Sequence, residues 1–175
     1  MHYLKKITLV LMLSWMAHYA VAQSSYRTGL GLRLGPTYGF TVKHFINSKL
    51  AFEGLVSSRY HGLNAPSNGW NRNRGVILTG LLEWHFPIGN IQGFNWFVGG
   101  GLHLGLLEGY YNHPVYYDNR LYWLIGLDAI GGVEYTLPKA PITFQADIKP
   151  TIHLAEYVGF WWFDEIALSV RYTFK

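Results

Sequence analysis

Seven serine, histidine and acidic residues near the ends of alternating segments could together support acyl transfer. They are Ser57, Ser58, His61, Glu108, His113, His153 and Glu156. Acyl transfer needs a nucleophilic hydroxyl group, a base that removes its proton, and a carboxylate that orients the base. None of the seven lies in a recognisable catalytic motif, and geometry decides such cases. Catalysis by these residues at the segment ends is therefore only an alternative, and no catalytic residue is predicted.

A possible metal-ligand pair is formed by Glu83 and His85, which lie two residues apart. In a strand this spacing puts both side chains on one face, but a metal site needs at least one further ligand. His44, His103 and His113 are too scattered in the sequence to form a predicted cluster. A hydrogen bond in the barrel interior is the favoured interpretation, and no metal site is predicted.

The run Gly99-Gly100-Gly101 superficially resembles a phosphate-binding loop. It lacks the lysine and the following helix that such a loop requires. Close packing of the backbone explains three glycines in a strand better. The sequence therefore predicts no cofactor.

The elements that would position these groups are strands, and the last one shows the pattern most clearly. Apolar Ile166, Leu168, Val170, Tyr172 and Phe174 alternate with small or polar residues. A period of two indicates a strand with one apolar and one polar face. A terminal aromatic residue on the closing strand is typical of outer-membrane barrels, so Tyr172 and Phe174 are the predicted assembly signal.

Eight alternating segments can be identified, which predicts an all-β, eight-stranded, antiparallel up-and-down barrel. The segments are about Tyr26–Gly35, Thr37–Asn47, Leu50–Tyr60, Gly75–Phe86, Asn95–Leu107, Leu121–Leu137, Ile142–Leu154, and a last one from about Trp162. Pro150 within the seventh segment removes a ladder donor and predicts a β-bulge there.

Connections of two lengths alternate along the chain. The short turns are Asn47–Lys49, Ile88–Gly93 and Pro138–Ala140, and the long loops are His61–Arg74, Glu108–Arg120 and Ala155–Trp161. On the side of the barrel that carries the long loops, the connection at Gly35-Pro36 is the only short one. Short periplasmic turns and long extracellular loops are the layout of outer-membrane barrels.

Composition supports a barrel that lies in a membrane. Charged residues make up 14% of the chain and aromatic residues 17%, whereas charged residues make up about 25% of an average globular protein. The mature chain lacks an uninterrupted apolar run of about 18 residues, so a spanning helix is not predicted. The basic residues beyond the N-terminal segment are scattered along the chain, which argues against nucleic-acid binding. The absence of cysteine excludes disulfides and thiolate metal sites.

The N-terminus has the features of a cleaved signal peptide. Lys5 and Lys6 precede a short apolar run, and Ala20-Val21-Ala22 fits a cleavage site. We therefore divide the chain into a signal peptide at 1–22 and a barrel domain at 23–175. Cysteine is absent at the cleavage point, so a lipoprotein anchor is not expected.

The apolar faces are expected to contact lipid, although a soluble lipocalin-like barrel would show the same alternation. Strands of ten or more residues match the length of about 9–11 that crosses a bilayer. Glycines recur on the polar face, as a narrow interior requires. Aromatic residues near the segment ends predict two interfacial girdles: Trp84, Phe86, Phe94, Trp96 and Tyr135 toward the turns, and Tyr60, Trp70, Tyr122, Trp123, Trp161 and Trp162 toward the loops.

The polar faces should then enclose a network of charges. Its predicted members are Arg33, Lys43, Glu53, Glu83, His85, Asp128, Glu134, Asp147, Lys149, Glu165 and Arg171. Buried charges must pair, because an isolated one is costly. An eight-stranded barrel is just wide enough to be filled by side chains, which predicts a plugged interior without an open pore.

Almost the whole mature chain resembles the small outer-membrane barrels of the OmpX and OmpA type. The resemblance rests on the signal peptide, the eight segments, the short turns and the closing Leu168-Ser-Val-Arg-Tyr-Thr-Phe174. The segments beginning Gly80-Leu-Leu-Glu-Trp-His-Phe-Pro and Gly93-Phe-Asn-Trp-Phe-Val are similar to a hairpin of such barrels. The resemblance implies the fold and the outer membrane of a Gram-negative-type bacterium, but no catalytic residues.

The expected role is structural or surface-interacting, in a monomer that contacts membrane lipid, lipopolysaccharide and the barrel-assembly machinery. One alternative is a lipid A acyl hydrolase or acyltransferase acting at the extracellular rim. The other is adhesin-like binding through loops 61–74 and 108–120, whose Tyr, Trp, Asn and Arg residues suit contacts with partners or glycans. The sequence does not choose a ligand or a biological process.

Overall fold

Ten extended segments occupy eight positions around a closed antiparallel barrel. The computed structural model describes residues 26–59, 74–108, 121–154, 159–161 and 166–174. The strands are β1 (Thr28–Leu34), β2 (Thr37–Phe45), β3 (Leu50–Arg59), β4 (Arg74–Pro87), β5 (Phe94–Glu108), β6 (Leu121–Thr136), β7 (Ile142–Ile148), β8 (Thr151–His153), β9 (Gly159–Trp161) and β10 (Ile166–Phe174). The described residues contain no helix of the length and hydropathy of a membrane span.

From β1 to β7 each strand pairs with its neighbour in sequence, and the first strand pairs with the last. Thr28 of β1 lies opposite Phe174 of β10, and this pairing closes the sheet. The ladder then runs from β1 through β6, and β7 and β8 both pair with β6. β1 and β10 are thus each paired on both sides, so neither of them is an exposed strand edge. The predicted all-β, eight-stranded antiparallel barrel is confirmed.

The seventh segment is divided at Lys149-Pro150, but the predicted bulge is wrong. Ile148 lies opposite Gly131, and Thr151 lies opposite Asp128, three residues further along each strand. No extra residue is therefore inserted. The Ala129 N–H donates to the Pro150 carbonyl at 3.0 Å, so only the donor that proline lacks is missing from the ladder.

The eighth position also consists of two pieces. The predicted loop at 155–161 ends in the short strand β9, which pairs with β8. The register in which β9 pairs with β8 is offset by two residues from the register in which β10 pairs with β7. The predicted start of the closing strand near Trp162 lies outside the described residues.

The short turns lie at one end of the barrel, together with the first residue of β1 and the last residue of β10. The Asn47 side chain accepts hydrogen bonds from the backbone N–H groups of Lys49 and Leu50, at 2.9 and 2.8 Å. Gly93 has a φ of 82°, and a Cβ there would lie 2.3 Å from the Thr136 carbonyl oxygen. This turn therefore requires glycine.

The two faces of the wall are oriented as the alternation predicts. Leu104, Ile125 and Ile148 point outward and are 44%, 44% and 41% exposed. Glu134, Asp147 and Arg171 point inward and are 1%, 3% and 0% exposed. The barrel is thus apolar outside and largely polar inside, which is the reverse of a soluble protein.

Apolar residues also fill part of the interior, and this was not predicted. Leu55, Leu81, Phe97 and Ile130 form one buried cluster. A second cluster consists of Tyr26, Phe45 and Ala51. These side chains occupy interior space that the charged residues leave, as the narrow bore of eight strands requires.

Candidate functional site

The centre of the polar interior is the Lys43 ammonium group on β2. Its Nζ lies 2.7 Å from Glu83, 3.1 Å from Glu134 and 3.3 Å from Glu53. It also donates to Gln145 Oε1 at 2.6 Å. All three carboxylate side chains are fully or almost fully buried, so one cation contacts acidic groups that come from three strands.

Arg171 on β10 is the second cation of this network. Its guanidinium group pairs with Glu53 and donates to Gln145 Oε1 at 2.7 Å. Its Nε donates to the Thr41 hydroxyl at 2.9 Å, and Thr41 in turn donates to Glu53 at 2.7 Å. The network therefore joins β2, β3, β7 and β10 across the bore.

Arg33 and Asp147 form a third pair in this region. Gln145 donates to Asp147 at 2.9 Å, so this pair is connected with Lys43 and Arg171 through one amide side chain. Tyr26 donates to both Glu134 oxygens, at 3.1 and 3.2 Å. Asp147 and Glu134 thus each have more than one partner, and paired groups are what burial of charge requires. We call Arg33, Lys43, Glu53, Glu83, Glu134, Gln145, Asp147 and Arg171 the central network.

Aromatic rings lie against the central network. The Lys43 ammonium is 4.6 Å from the centroid of the Phe97 ring, a cation–π distance. The His85 ring stacks on Phe97 with centroids 5.0 Å apart, and its Nε2 lies 3.2 Å from Glu83 Oε2. His85 thus makes a hydrogen bond in the barrel interior, as predicted, and its partner is Glu83.

A separate polar cluster is built around Asp128 on β6. Its Oδ2 lies 2.8 Å from His103 Nδ1, and its Oδ1 accepts from Lys149 at 2.8 Å and from Thr151 at 3.1 Å. His103 Nε2 lies 3.0 Å from His153 Nδ1. We call Asp128, His103, His153, Lys149 and Thr151 the histidine cluster.

The comparisons with known proteins match the fold and nothing more specific. No family model and no curated protein matches this chain. A solved structure that matches is the N-terminal β-barrel domain of Pseudomonas aeruginosa OprF, with a TM-score of 0.62 and 14% identity over 87% of this chain and 98% of that one. The chain is similar in fold to an OmpA-type barrel. The predicted resemblance to OmpX/OmpA-type barrels is confirmed at this level, and such barrels are typical of bacterial outer membranes.

The barrel brings together ten of the eleven residues predicted for the interior: nine belong to the central network or the histidine cluster, and His85 contacts Glu83 of the central network. The ten are Arg33, Lys43, Glu53, Glu83, His85, Asp128, Glu134, Asp147, Lys149 and Arg171, and all are buried. The eleventh, Glu165, lies outside the described residues. Tyr172 and Phe174 are on the outer face at the turn end, with ring centroids 5.1 Å apart.

The rim candidates for catalysis are not assembled within the part of the chain that the structure describes. Ser57 is buried, and its hydroxyl lies 3.5 Å from the Ile77 carbonyl oxygen. His153 belongs to the histidine cluster, where its Nδ1 contacts His103. His61, His113, Glu156 and the Glu108 side chain lie outside the description, as do loops 61–73 and 109–120 and the signal peptide.

The turn-side aromatic residues lie near the ends of their strands. Trp84 and Trp96 are exposed on the outer wall, and Phe86 stacks on Trp96 with centroids 4.5 Å apart. On the loop side, Trp123 is exposed. The side chains of Tyr60, Trp70, Tyr122, Trp161 and Trp162 fall outside the description.

The histidine cluster was missed by the analysis of the sequence. The sequence pattern predicts an isolated His103 and places His153 at the rim. The signal that could have found the pair is the strand register, because Gly126 lies opposite His103 on one side and opposite His153 on the other. Two inward residues flanking a glycine can meet above it.

Proposed function

We propose that this chain is an outer-membrane β-barrel protein with a structural or surface-interaction role and without catalytic activity. The observation that carries the proposal is the reversed polarity of the wall. Leu30, Leu32, Leu34, Phe40, Val56, Leu78 and Leu102 are among the large apolar side chains exposed on it. Water-soluble monomers rarely expose contiguous apolar patches above a few hundred Å². A hydrocarbon surrounding removes that penalty.

The barrel geometry supports a membrane environment independently of side-chain polarity. The main backbone ladder closes on itself through the pairing of β1 with β10, as the hydrocarbon core of a bilayer requires of any spanning β-structure. The exposed Trp84 and Trp96 near the turns and Trp123 near the loops suit the two interfaces, where amphipathic rings are favoured. Lipid hydrocarbon is therefore the proposed partner of the outer wall, with lipopolysaccharide at the loop side.

The orientation follows from the ends of the barrel. β1 begins and β10 ends at the turn side. A chain that enters the membrane from the periplasm leaves both ends there, so the turns are periplasmic and the long loops extracellular. Residues 1–22 would serve as the cleaved signal peptide of such a chain.

We further propose that the interior is plugged. The central network and the cluster of Leu55, Leu81, Phe97 and Ile130 place buried side chains across the bore. Ion pairs between non-neighbouring strands, such as Lys43 with Glu134 at 3.1 Å, cross the space that a water channel would need. Recording in planar bilayers tests this proposal. We expect no sizeable steady single-channel conductance, and observing one would contradict the plug.

Membrane location is tested by separating the inner and outer membranes of cells that express the full chain. We expect the protein in the outer-membrane fraction, with a gel mobility that changes on heating as the barrel unfolds. Recovery of the folded protein in the soluble fraction would contradict the proposal.

The role of the closing strand is a separate proposal. Tyr172 and Phe174 lie on the outer wall at the periplasmic end, where the assembly machinery would meet an incoming strand. Phe174→Ala should reduce assembly in cells while the purified chain still refolds in detergent. Equal assembly of the variant and the parent would contradict this role.

The surface role is distinguished from catalysis by two assays. Lipid A from cells with and without the gene should give the same mass spectrum, and a difference in acyl chains would support the enzyme alternative. Deletion of 61–74 or 108–120 should reduce surface attachment if these loops bind a partner. Unchanged attachment would leave the structural role as the better description.

A further inference from the structure

Three neighbouring strands place two histidines on either side of a glycine. His103 of β5 lies opposite Gly126 of β6, and Gly126 lies opposite His153 of β8. A Cβ on Gly126 would lie 2.4 Å from His103 Cε1 and 2.8 Å from its Nε2. The His103 imidazole thus occupies the space that any other side chain at 126 would take. Glycine at this position is what allows the two rings to meet.

The orientation of the His103 ring is set by Asp128. A carboxylate can only accept a hydrogen bond, so the neutral His103 ring carries its proton on Nδ1, 2.8 Å from Asp128 Oδ2. The lone pair of Nε2 then points at His153 Nδ1, 3.0 Å away. Lys149 and Thr151 occupy the other Asp128 oxygen, which holds the carboxylate in place.

This arrangement has the outer-shell feature that accompanies histidine ligands in metal proteins. A metal-binding imidazole commonly donates its second N–H to a carboxylate, which fixes the ring and raises its basicity. Two nitrogens at about 2.0–2.1 Å from a tetrahedral zinc ion are about 3.3 Å apart. The observed distance between His103 Nε2 and His153 Nδ1 is 3.0 Å, so the two rings would have to separate by a few tenths of an ångström and turn their lone pairs toward a shared ion.

We propose that His103 and His153 bind one divalent transition-metal ion of the type that prefers imidazole, such as Zn²⁺. His103 would contribute Nε2 and His153 would contribute Nδ1, after the His153 proton moves from Nδ1 to Nε2. Asp128 is a positioning residue that acts through His103. The described residues contain no group of three histidine, cysteine or acidic side chains suited to a metal, so the remaining coordination positions of the proposed ion would have to be filled by water.

The charges around the pair permit a cation. Asp128 and Lys149 form an ion pair at 2.8 Å, and the two imidazoles are neutral ligands. Imidazole suits zinc and copper, whereas calcium and magnesium prefer oxygen ligands. The site should therefore discriminate Zn²⁺ from Ca²⁺ and Mg²⁺.

The test is a Zn²⁺ titration of the full chain, without a histidine tag, folded in detergent. We expect one equivalent of Zn²⁺ to bind, and excess Mg²⁺ not to displace it. X-ray absorption of the Zn²⁺-loaded protein should show scattering from two imidazole rings. Failure to bind one equivalent, or a zinc shell without two imidazoles, overturns the proposal whether or not any variant folds.

Variants locate the binding to this pair. His103→Gln and His153→Gln should each remove the stoichiometric binding, and Asp128→Asn should weaken it by about 10–100-fold, the usual effect of losing an outer-shell carboxylate. The matched control is His44→Gln, because His44 lies at the turn end and contacts the Thr28 hydroxyl at 2.9 Å. The control should bind Zn²⁺ like the parent. Binding that survives His153→Gln in a folded barrel overturns the assignment.

The result is independent of the proposed membrane role. A chain that inserts into membranes and does not bind Zn²⁺ would show that the two histidines only fill the interior with a hydrogen-bonded pair. A chain that binds Zn²⁺ through His103 and His153 but is found in the soluble fraction would contradict the membrane role alone.

Discussion

Arg33 on β1 and Asp147 on β7 form a two-point ion pair across an intervening strand. The two guanidinium nitrogens lie 2.8 and 2.7 Å from the two carboxylate oxygens. β10 separates the two strands and contributes the small Ser169 opposite Arg33. The pair therefore links non-neighbouring parts of the wall in addition to the backbone ladder.

Arg33→Lys should weaken this link although it keeps the charge. Lysine cannot reproduce the planar two-point contact of a guanidinium group. We expect the free energy of unfolding to fall by about 1.5–3 kcal/mol, the range of a hydrogen bond to a charged group. Urea unfolding in detergent micelles measures the change. A variant as stable as the parent would show that the geometry of the pair contributes little.

Lys43→Met should be more damaging than a change of any exposed lysine. It leaves Glu53, Glu83 and Glu134 buried without their shared cation, and removal of one partner from a buried ion pair costs about 3–5 kcal/mol. The same urea titration measures the loss. Lys49→Met in a turn is the control and should change stability by less than about 0.5 kcal/mol. Equal effects of the two substitutions would contradict the central role of Lys43.

Leu102→Arg tests the environment of the outer wall. Leu102 is 64% exposed near the middle of β5. An arginine near the bilayer midplane destabilises a barrel by about 2–4 kcal/mol. Ile91→Arg is the control, because Ile91 is 56% exposed in a turn. Folding in lipid vesicles should be impaired by the first change and not by the second. No difference between them would indicate that this wall does not face hydrocarbon.

Gly126→Ala tests whether close packing in the histidine cluster depends on glycine. Its Cβ would lie 2.1 Å from the Ile152 carbonyl oxygen as well as against His103. Overpacking of this kind typically costs about 1–3 kcal/mol, and here backbone would have to move. Gly131→Ala on the same strand is the control, since its nearest atom would be 3.8 Å away. Thermal unfolding should separate the two variants, and equal midpoints would contradict the packing argument.

The orientation of side chains could be predicted from the sequence because alternation is a property of the extended backbone. Once β6 and β7 are extended, Glu134 and Asp147 must share the face opposite to Ile125 and Ile148. The closing pattern of β10 follows from the same rule. The eight strand positions were therefore predictable without knowledge of their partners.

Contacts across the bore could not be predicted in the same way. His103 and His153 are fifty residues apart, and their contact depends on the register of two strands against Gly126. The inward positions of Leu81 and Phe97 were also not predicted, because the alternation was taken to place charged and polar residues inside and apolar residues outside. At Pro150 the missing N–H donor was interpreted as a β-bulge. The register against β6 is the same before and after Pro150, so no residue is inserted there.

The most direct test of the account is the environment of the outward side chains in a bilayer. The chain has no cysteine, so Leu104→Cys, Ile125→Cys and Ile148→Cys can each carry a single nitroxide label, with Ile91→Cys as the turn control. In lipid vesicles the three wall labels should collide frequently with oxygen and rarely with a water-soluble nickel complex, while the turn label should show the reverse. Frequent collision of the wall labels with the nickel complex would place this surface in water and contradict the membrane barrel.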